Sequence, residues 1–192
     1  FRDNQQVADC VMDSNDLERE RGITILAKVT SVVWKDTRIN IVDTPGHADF
    51  GGEVERILSM VDGVIVLVDA AEGPLPQTKF VVAKALKQGI RPIVVINKVD
   101  RPDARPDAVH EEVFDLFASL DATDEQLDFP LLYASGRQGW ASTSLEGART
   151  DMTSLFDLVC DFFPSPDNDA EKPFSMRVAL IENNSYLGRL VT

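Results

Sequence analysis

Asp43-Thr44-Pro45-Gly46-His47 follows the β-branched run Arg38 to Val42 and brings a carboxylate and an imidazole into one short stretch. A carboxylate at a strand end can hold a water on Mg²⁺, an ion that prefers oxygen ligands and keeps much of its hydration shell. Gly46 has no side chain, so its backbone N–H can approach a terminal phosphate closely, and loss of that phosphate would release the loop. His47 then stands where it can orient a nucleophilic water. An imidazole with an unperturbed pKa of about 6.5 can also change charge during a reaction cycle. Taken alone, His47 could equally be a polar residue at the start of a helix.

A second cluster, Asn97-Lys98-Val99-Asp100, follows the apolar run Pro92 to Ile96 and has the form NKxD. Its chemistry fits guanine. The Asp100 carboxylate can accept two hydrogen bonds side by side, from the ring N1–H and the exocyclic amino group. Adenine has neither donor there and would leave the carboxylate unpaired, a penalty that yields discrimination of about 10⁴ in a pocket built this way. The Lys98 stem can cover one face of a base, and Asn97 can tie the loop to its neighbours. The plainer alternative is a solvated strand-to-helix turn. Upstream, Thr24 in Arg19-Glu20-Arg21-Gly22-Ile23-Thr24 offers a hydroxyl to Mg²⁺ and a backbone N–H to a γ-phosphate, against the alternative of a charged surface loop. Ser135-Gly136 ends another apolar run.

The elements that must hold these residues can be read from periodicity. Ile25 to Trp34 and Arg38 to Asp43 are β-branched, partly alternating runs joined by Lys35-Asp36-Thr37, a hairpin pattern. Val64 to Asp69 and Pro92 to Asn97 are short and almost wholly apolar, as strands buried on both faces of a parallel sheet are. Phe129 to Ala134 is a further strand. Helices fit 52–60, 77–88, 106–120 and 153–163, the last with Leu155, Phe156, Val159, Cys160 and Phe163 on one stripe. The alternation predicts a three-layer α/β domain with a mainly parallel sheet, in which ligands sit beyond the carboxyl ends of the strands. Asp43, Asn97-Lys98-Val99-Asp100 and Ser135-Gly136 each fall at such an end.

Residues 164–173, PSPDNDAEKP, are nearly devoid of apolar side chains and read as an interdomain linker. Beyond it, 174–181 and 186–191 alternate again around Glu182-Asn-Asn-Ser185, the first hairpin of a β-rich second domain. The expected division is therefore 1–164, a linker 165–173, and the start of a β-barrel over 174–192.

Composition narrows the classes. The chain has 192 residues, 44% of them hydrophobic, enough for one well-filled domain. Its 32 acidic and 19 basic residues give a formal charge of -13, which argues against a broad nucleic-acid-binding face. Two cysteines, Cys10 and Cys160, fit buried structural roles in a reducing compartment. The longest apolar run, Val64 to Val68, is far too short to span a membrane. A soluble, cytoplasmic monomer is the expectation.

Taken together, Thr24, Asp43, Asn97 and Ser135 come in the order phosphate lid, metal and phosphate sensor, base reader, base-supporting loop. This resembles the translational GTPases among the P-loop G proteins. Within them, Met12 to Lys28 (MDSNDLERERGITILAK), Ile39 to Gly63, Ile96 to Asp107 (INKVDRPDARPD), Ala122 to Ser135 and Asn183 to Arg189 (NNSYLGR) resemble the TypA/BipA family of ribosome-associated GTPases. Elongation factor G and LepA share RGITI and DTPGH without the Gly51-Gly52 pair. The resemblance implies a P-loop NTPase (G-protein) domain binding GTP or GDP with Mg²⁺, and GTP hydrolysis on the ribosome, with a role in ribosome assembly or in translation under stress. It implies that Thr24 coordinates Mg²⁺ directly and Asp43 through water. Gly46 senses the γ-phosphate, Ile23 belongs to a hydrophobic gate and His47 positions the attacking water. Asn97, Lys98 and Asp100 read guanine, supported by Ser135 and the Gly136 N–H.

Two departures stand out. None of the 11 glycines is followed by lysine, so the phosphate-cradling G-x-x-x-x-G-K-[ST] does not occur in these residues. The expectation is that it lies upstream in a longer parent, that the sheet is incomplete at its N-terminal side, and that this 192-residue piece alone does not hydrolyse GTP. A non-catalytic interaction module that keeps the fold without the phosphate loop, and a purely structural α/β domain, are the alternatives. The second departure is Gly136, where the family usually has alanine. His110 reads as a helix-face residue without a catalytic part.

Overall fold

The computed structural model describes residues 28–44, 51–166, 173 and 181–191. Within them β1 (Lys28–Trp34) and β2 (Thr37–Asp43) form an antiparallel hairpin. Then follow α1 (Gly51–Leu58), β3 (Val64–Asp69), α2 (Pro76–Lys87), β4 (Pro92–Asn97) and α3 (Pro106–Ser119). A short α4 (Asp124–Leu127) leads into β5 (Leu131–Ser135), β6 (Trp140–Ser142) and α5 (Thr153–Phe162), and β7 (Ile181–Asn184) pairs with β8 (Gly188–Val191).

The central sheet has the order β3-β4-β5-β6, parallel except for β6, which runs antiparallel to β5. β4 shows why the sequence folds this way. Its residues Pro92 to Ile96 are all buried, and alternate side chains leave on opposite faces. Val94 and Ile96 join Val66, Val68, Val82, Leu86, Val109, Val113 and Phe117, in a core shared with α2 and α3. Ile93 and Val95 join Leu132 and Ala134 beneath α5, which contributes Leu155, Leu158, Val159 and Phe162. Helices therefore cover both faces, the three-layer arrangement that the alternation predicts. Fully burying a side chain such as Phe117 contributes roughly 1.5–3 kcal/mol, so a strand apolar on both faces is driven to the centre.

β3 is an outer strand of this sheet. Val66 and Val68 face α2 and α3, whereas Ile65 and Leu67 on the other face are 41% and 61% exposed. α1 packs Val54 and Leu58 on Ala85 of α2. The β1-β2 hairpin pairs only with itself among the described residues. Its tip leans on α5: Trp34 stacks on Phe156 with ring centroids 5.2 Å apart, and Asp157 accepts from Trp34 Nε1 at 2.6 Å and Lys35 Nζ at 2.7 Å.

Several expectations need correction. The polar stretch 137–150 holds β6, which buries Trp140 beneath the Arg149 guanidinium. The polar sequence concealed a strand that borrows its pairing from β5. The short helix α4 was also absent from the periodicity reading. Its signal was the capping box Thr123-x-x-Gln126, whose side chains bond reciprocally to each other's backbone N–H groups. The last hairpin turns later than Glu182 to Ser185, since Asn184 Oδ1 accepts from the N–H groups of Tyr186 and Leu187 and Gly188 takes a φ of 77°. Cys160 is half-buried rather than buried, while Cys10 lies outside the described residues.

Candidate functional site

The carboxyl ends of β3, β4 and β5 meet at one rim of the sheet, where the backbone stitches two of the polar stretches to the turn after β3. Ala70 N donates to Asn97 O at 2.8 Å, and Val99 N donates to Ala134 O at 3.2 Å. Asn97 is the hub. Its Oδ1 accepts from Lys98 N at 2.8 Å and from Gly136 N at 2.9 Å, joining the loop after β4 to the loop after β5. One amide oxygen with two lone pairs is thereby fully used.

Lys98 has a φ of 63°, a left-handed conformation that disfavours a residue with a Cβ by roughly 1–2 kcal/mol. Such strain persists only where surrounding contacts over-determine it. Here the backbone N–H is held by Asn97 and the ammonium is paired with Asp69 Oδ2 at 2.8 Å. Asp100 follows in the same turn with its side chain exposed, and Arg101 N donates to Lys98 O at 3.1 Å. Ser135 is fully buried at the end of β5, its Oγ accepting from Gln138 N at 3.2 Å. At Gly136 an added Cβ would lie 3.5 Å from Asn97 Nδ2, an ordinary contact, so the position has room for the alanine usual in the resembling family.

Asp69 is a member of this rim that motif reading missed. Its side chain is 10% exposed. Oδ1 accepts from Ala71 N at 2.8 Å and Glu72 N at 3.2 Å, fixing the turn after β3, while Oδ2 faces Lys98 and, at 3.4 Å, Arg101 Nη1. Burial works to raise its pKa, but the Lys98 ammonium and the two backbone N–H groups outweigh burial and bring it down to about 2. The available signal was an acid ending a wholly apolar strand, as Asp43 ends the partly alternating β2. Asp69, Asn97 and Lys98, with Leu67 and Thr78, line a cleft of about 250 Å³.

Asn97, Lys98, Asp100, Ser135 and Gly136 therefore share one rim. Asp43 ends β2 in the separate hairpin, opposite Lys28 in the register and exposed. Ile23, Thr24, Gly46 and His47 lie outside the described residues. Among the described residues no three His, Cys, Asp or Glu side chains are grouped to hold a metal ion. Of the two residues expected to hold Mg²⁺, Asp43 is described and Thr24 is not. His110, on α3, packs edge-on to Phe129 with centroids 6.0 Å apart, a helix-face position. No helix among the described residues is long and apolar enough to cross a membrane.

The sequence matches the family described as the Elongation factor Tu GTP binding domain over residues 2–165. It is 60% identical over 188 residues to the large ribosomal subunit assembly factor BipA of Escherichia coli strain K12, an alignment covering 98% of this chain and 31% of that protein. Proteins of the same name from Bacillus subtilis strain 168 and from Synechocystis sp. are 57% and 56% identical, covering 99% and 100% of this chain and 31% and 32% of theirs. The chain thus spans about a third of the length of the curated relatives it matches.

Proposed function

The chain belongs to the Elongation factor Tu GTP-binding domain family, a P-loop NTPase fold, with BipA factors as close relatives, and from that premise we propose that its parent protein is a ribosome-associated GTPase. The observation that carries this reading is the Asn97 hub: a single side chain joins the NKxD loop to the Ser135-Gly136 loop, beside an exposed Asp100.

In this reading Asp100 accepts from guanine N1–H and the exocyclic amino group, Lys98 covers the base, and Ser135 and the Gly136 loop support it. Thr24 and, through water, Asp43 hold Mg²⁺, whose chemistry is to neutralise charge on the phosphates. Gly46 responds to the γ-phosphate, Ile23 gates the site and His47 orients the attacking water on the ribosome. The phosphate-cradling loop that completes the site is not in these 192 residues, which alone bind phosphates weakly and do not turn over GTP. Residues 1–164 form the nucleotide-binding unit, 165–173 the linker and 174–192 the opening of a β-barrel. The parent acts in the cytoplasm as a monomer in ribosome assembly, with its remaining length making most of the ribosomal contact.

The test is His47→Ala in the intact gene product. Ribosome-stimulated GTP hydrolysis should fall by two orders of magnitude or more, about the size expected for removing a water-orienting group, while GTP affinity stays within about twofold. Loss of GTP binding in that variant would contradict the role given to His47, and an intact wild-type protein that takes up no guanine nucleotide would contradict the whole reading.

A further inference from the structure

Asp100, the residue assigned to read the base, has a cation two positions before it, Lys98, and another directly after it, Arg101. Both reach the same atom. Lys98 Nζ lies 2.8 Å and Arg101 Nη1 3.4 Å from Asp69 Oδ2, on a different strand and 31 positions before Asp100 in the chain. Asp69 is itself fixed, because its other oxygen accepts the N–H groups of Ala71 and Glu72. Arg101 is braced from its far side by a two-pronged contact to Asp103, at 2.9 and 2.7 Å.

We propose that Asp69 is a positioning residue for base recognition, setting the orientation of Asp100 by clamping the residues on either side of it to the end of β3. This rests on the reading of Asp100 as the guanine acceptor. Lys98 holds a left-handed backbone, a conformation that persists where surrounding contacts over-determine it, and its pairing with Asp69 is one of those contacts. A two-residue shift of the turn would carry Asp100 off the line of the two guanine donors. A carboxylate is suited to this role and an amide is not. Asn at this position could still accept from Ala71 and Glu72, but it would turn an N–H₂ group toward two cations.

The experiment compares GDP with inosine diphosphate, which lacks the exocyclic amino group, by calorimetry on the intact gene product. Misplacing Asp100 removes two hydrogen bonds from GDP and one from inosine diphosphate, so the preference between them reports on its orientation. Asp69→Asn should weaken GDP about tenfold and reduce the preference for GDP over inosine diphosphate about threefold or more. Arg101→Gln, which leaves the β3 turn intact, should reduce the same preference to a smaller extent and serves if Asp69→Asn folds poorly. An unchanged preference in both variants, or an equal loss for both nucleotides, overturns the clamp. Tighter GDP binding also overturns it, since Asp69 would then be holding Lys98 away from the base. A wild-type protein that shows no preference for GDP defeats the assignment of Asp100 itself, an outcome distinct from failure of the clamp alone.

Discussion

At the scale of single residues the rim is governed by matching donors to acceptors. A carboxylate at position 100 offers two acceptors, whereas an amide offers one acceptor beside one donor. Xanthine presents an N1–H donor beside a carbonyl acceptor, so Asp100→Asn in the intact protein should exchange GDP preference for xanthosine diphosphate preference. Nucleotide competition should register a reversal of about 10² or more, and retained GDP preference would show that Asp100 does not face the base. Asp69 gives a second test, in pH. Its folded pKa of about 2 lies below the unfolded value of 3.8, so its contribution is complete above the unfolded value and is lost as pH falls through about 2. With Lys98 half-exposed to solvent, on the order of 1–2 kcal/mol is expected at neutral pH. Thermal unfolding of wild type and Asp69→Asn should differ at pH 7 and converge toward pH 2. A gap that widens with acid would reverse the sign.

Elements hold the rim through a few close approaches. Gly63, just before β3, lies against the Phe163 ring at the end of α5, and a Cβ there would collide with ring carbons. Gly63→Ala should therefore cost about 1–3 kcal/mol by chemical denaturation. The penalty should shrink in a Phe163→Leu background, where the ring is gone; an equal penalty in both would place the strain elsewhere. The hairpin tip depends on Trp34, Phe156 and Asp157, and the Lys35 ammonium, first among the causes, together with the indole N–H, lowers the Asp157 pKa. At α4 the buried Gln126 caps its own helix and donates to Leu86 O and Ile90 O, which fastens α4 to the end of α2. These contacts join segments 36–40 or more positions apart and leave no periodic mark in the sequence.

For the whole molecule the deciding quantity is charge. At -13 the chain as a whole repels a phosphate backbone, so in the function proposed above contact with ribosomal RNA is assigned to the rest of the parent protein. In fluorescence anisotropy, this 192-residue chain should show no saturable binding to a ribosomal RNA helix at about 50 mM salt, where phosphate contacts are strong. Tight, salt-sensitive binding would reveal a local basic site that the net charge hides. The exposed Ile65 and Leu67 on β3 belong to this scale as well, since they mark the part of the α5-side face that α5 does not reach among the described residues.

Local chemistry was enough to write much of this protein from its sequence. β4 is apolar on both faces, as a central strand is, and NKxD carries the acceptors that the proposed reading matches to guanine. The family was legible as a resemblance of such motifs to those of its members, and the matches agree with it. What tertiary structure alone decided are the partnerships between strand ends. That Asn97 meets Gly136, that Asp69 binds both Lys98 and Arg101, and that β6 hides in a polar stretch all depend on strand order and register. Those are set by core packing summed over many residues, whereas a motif records only the identity and spacing of a few.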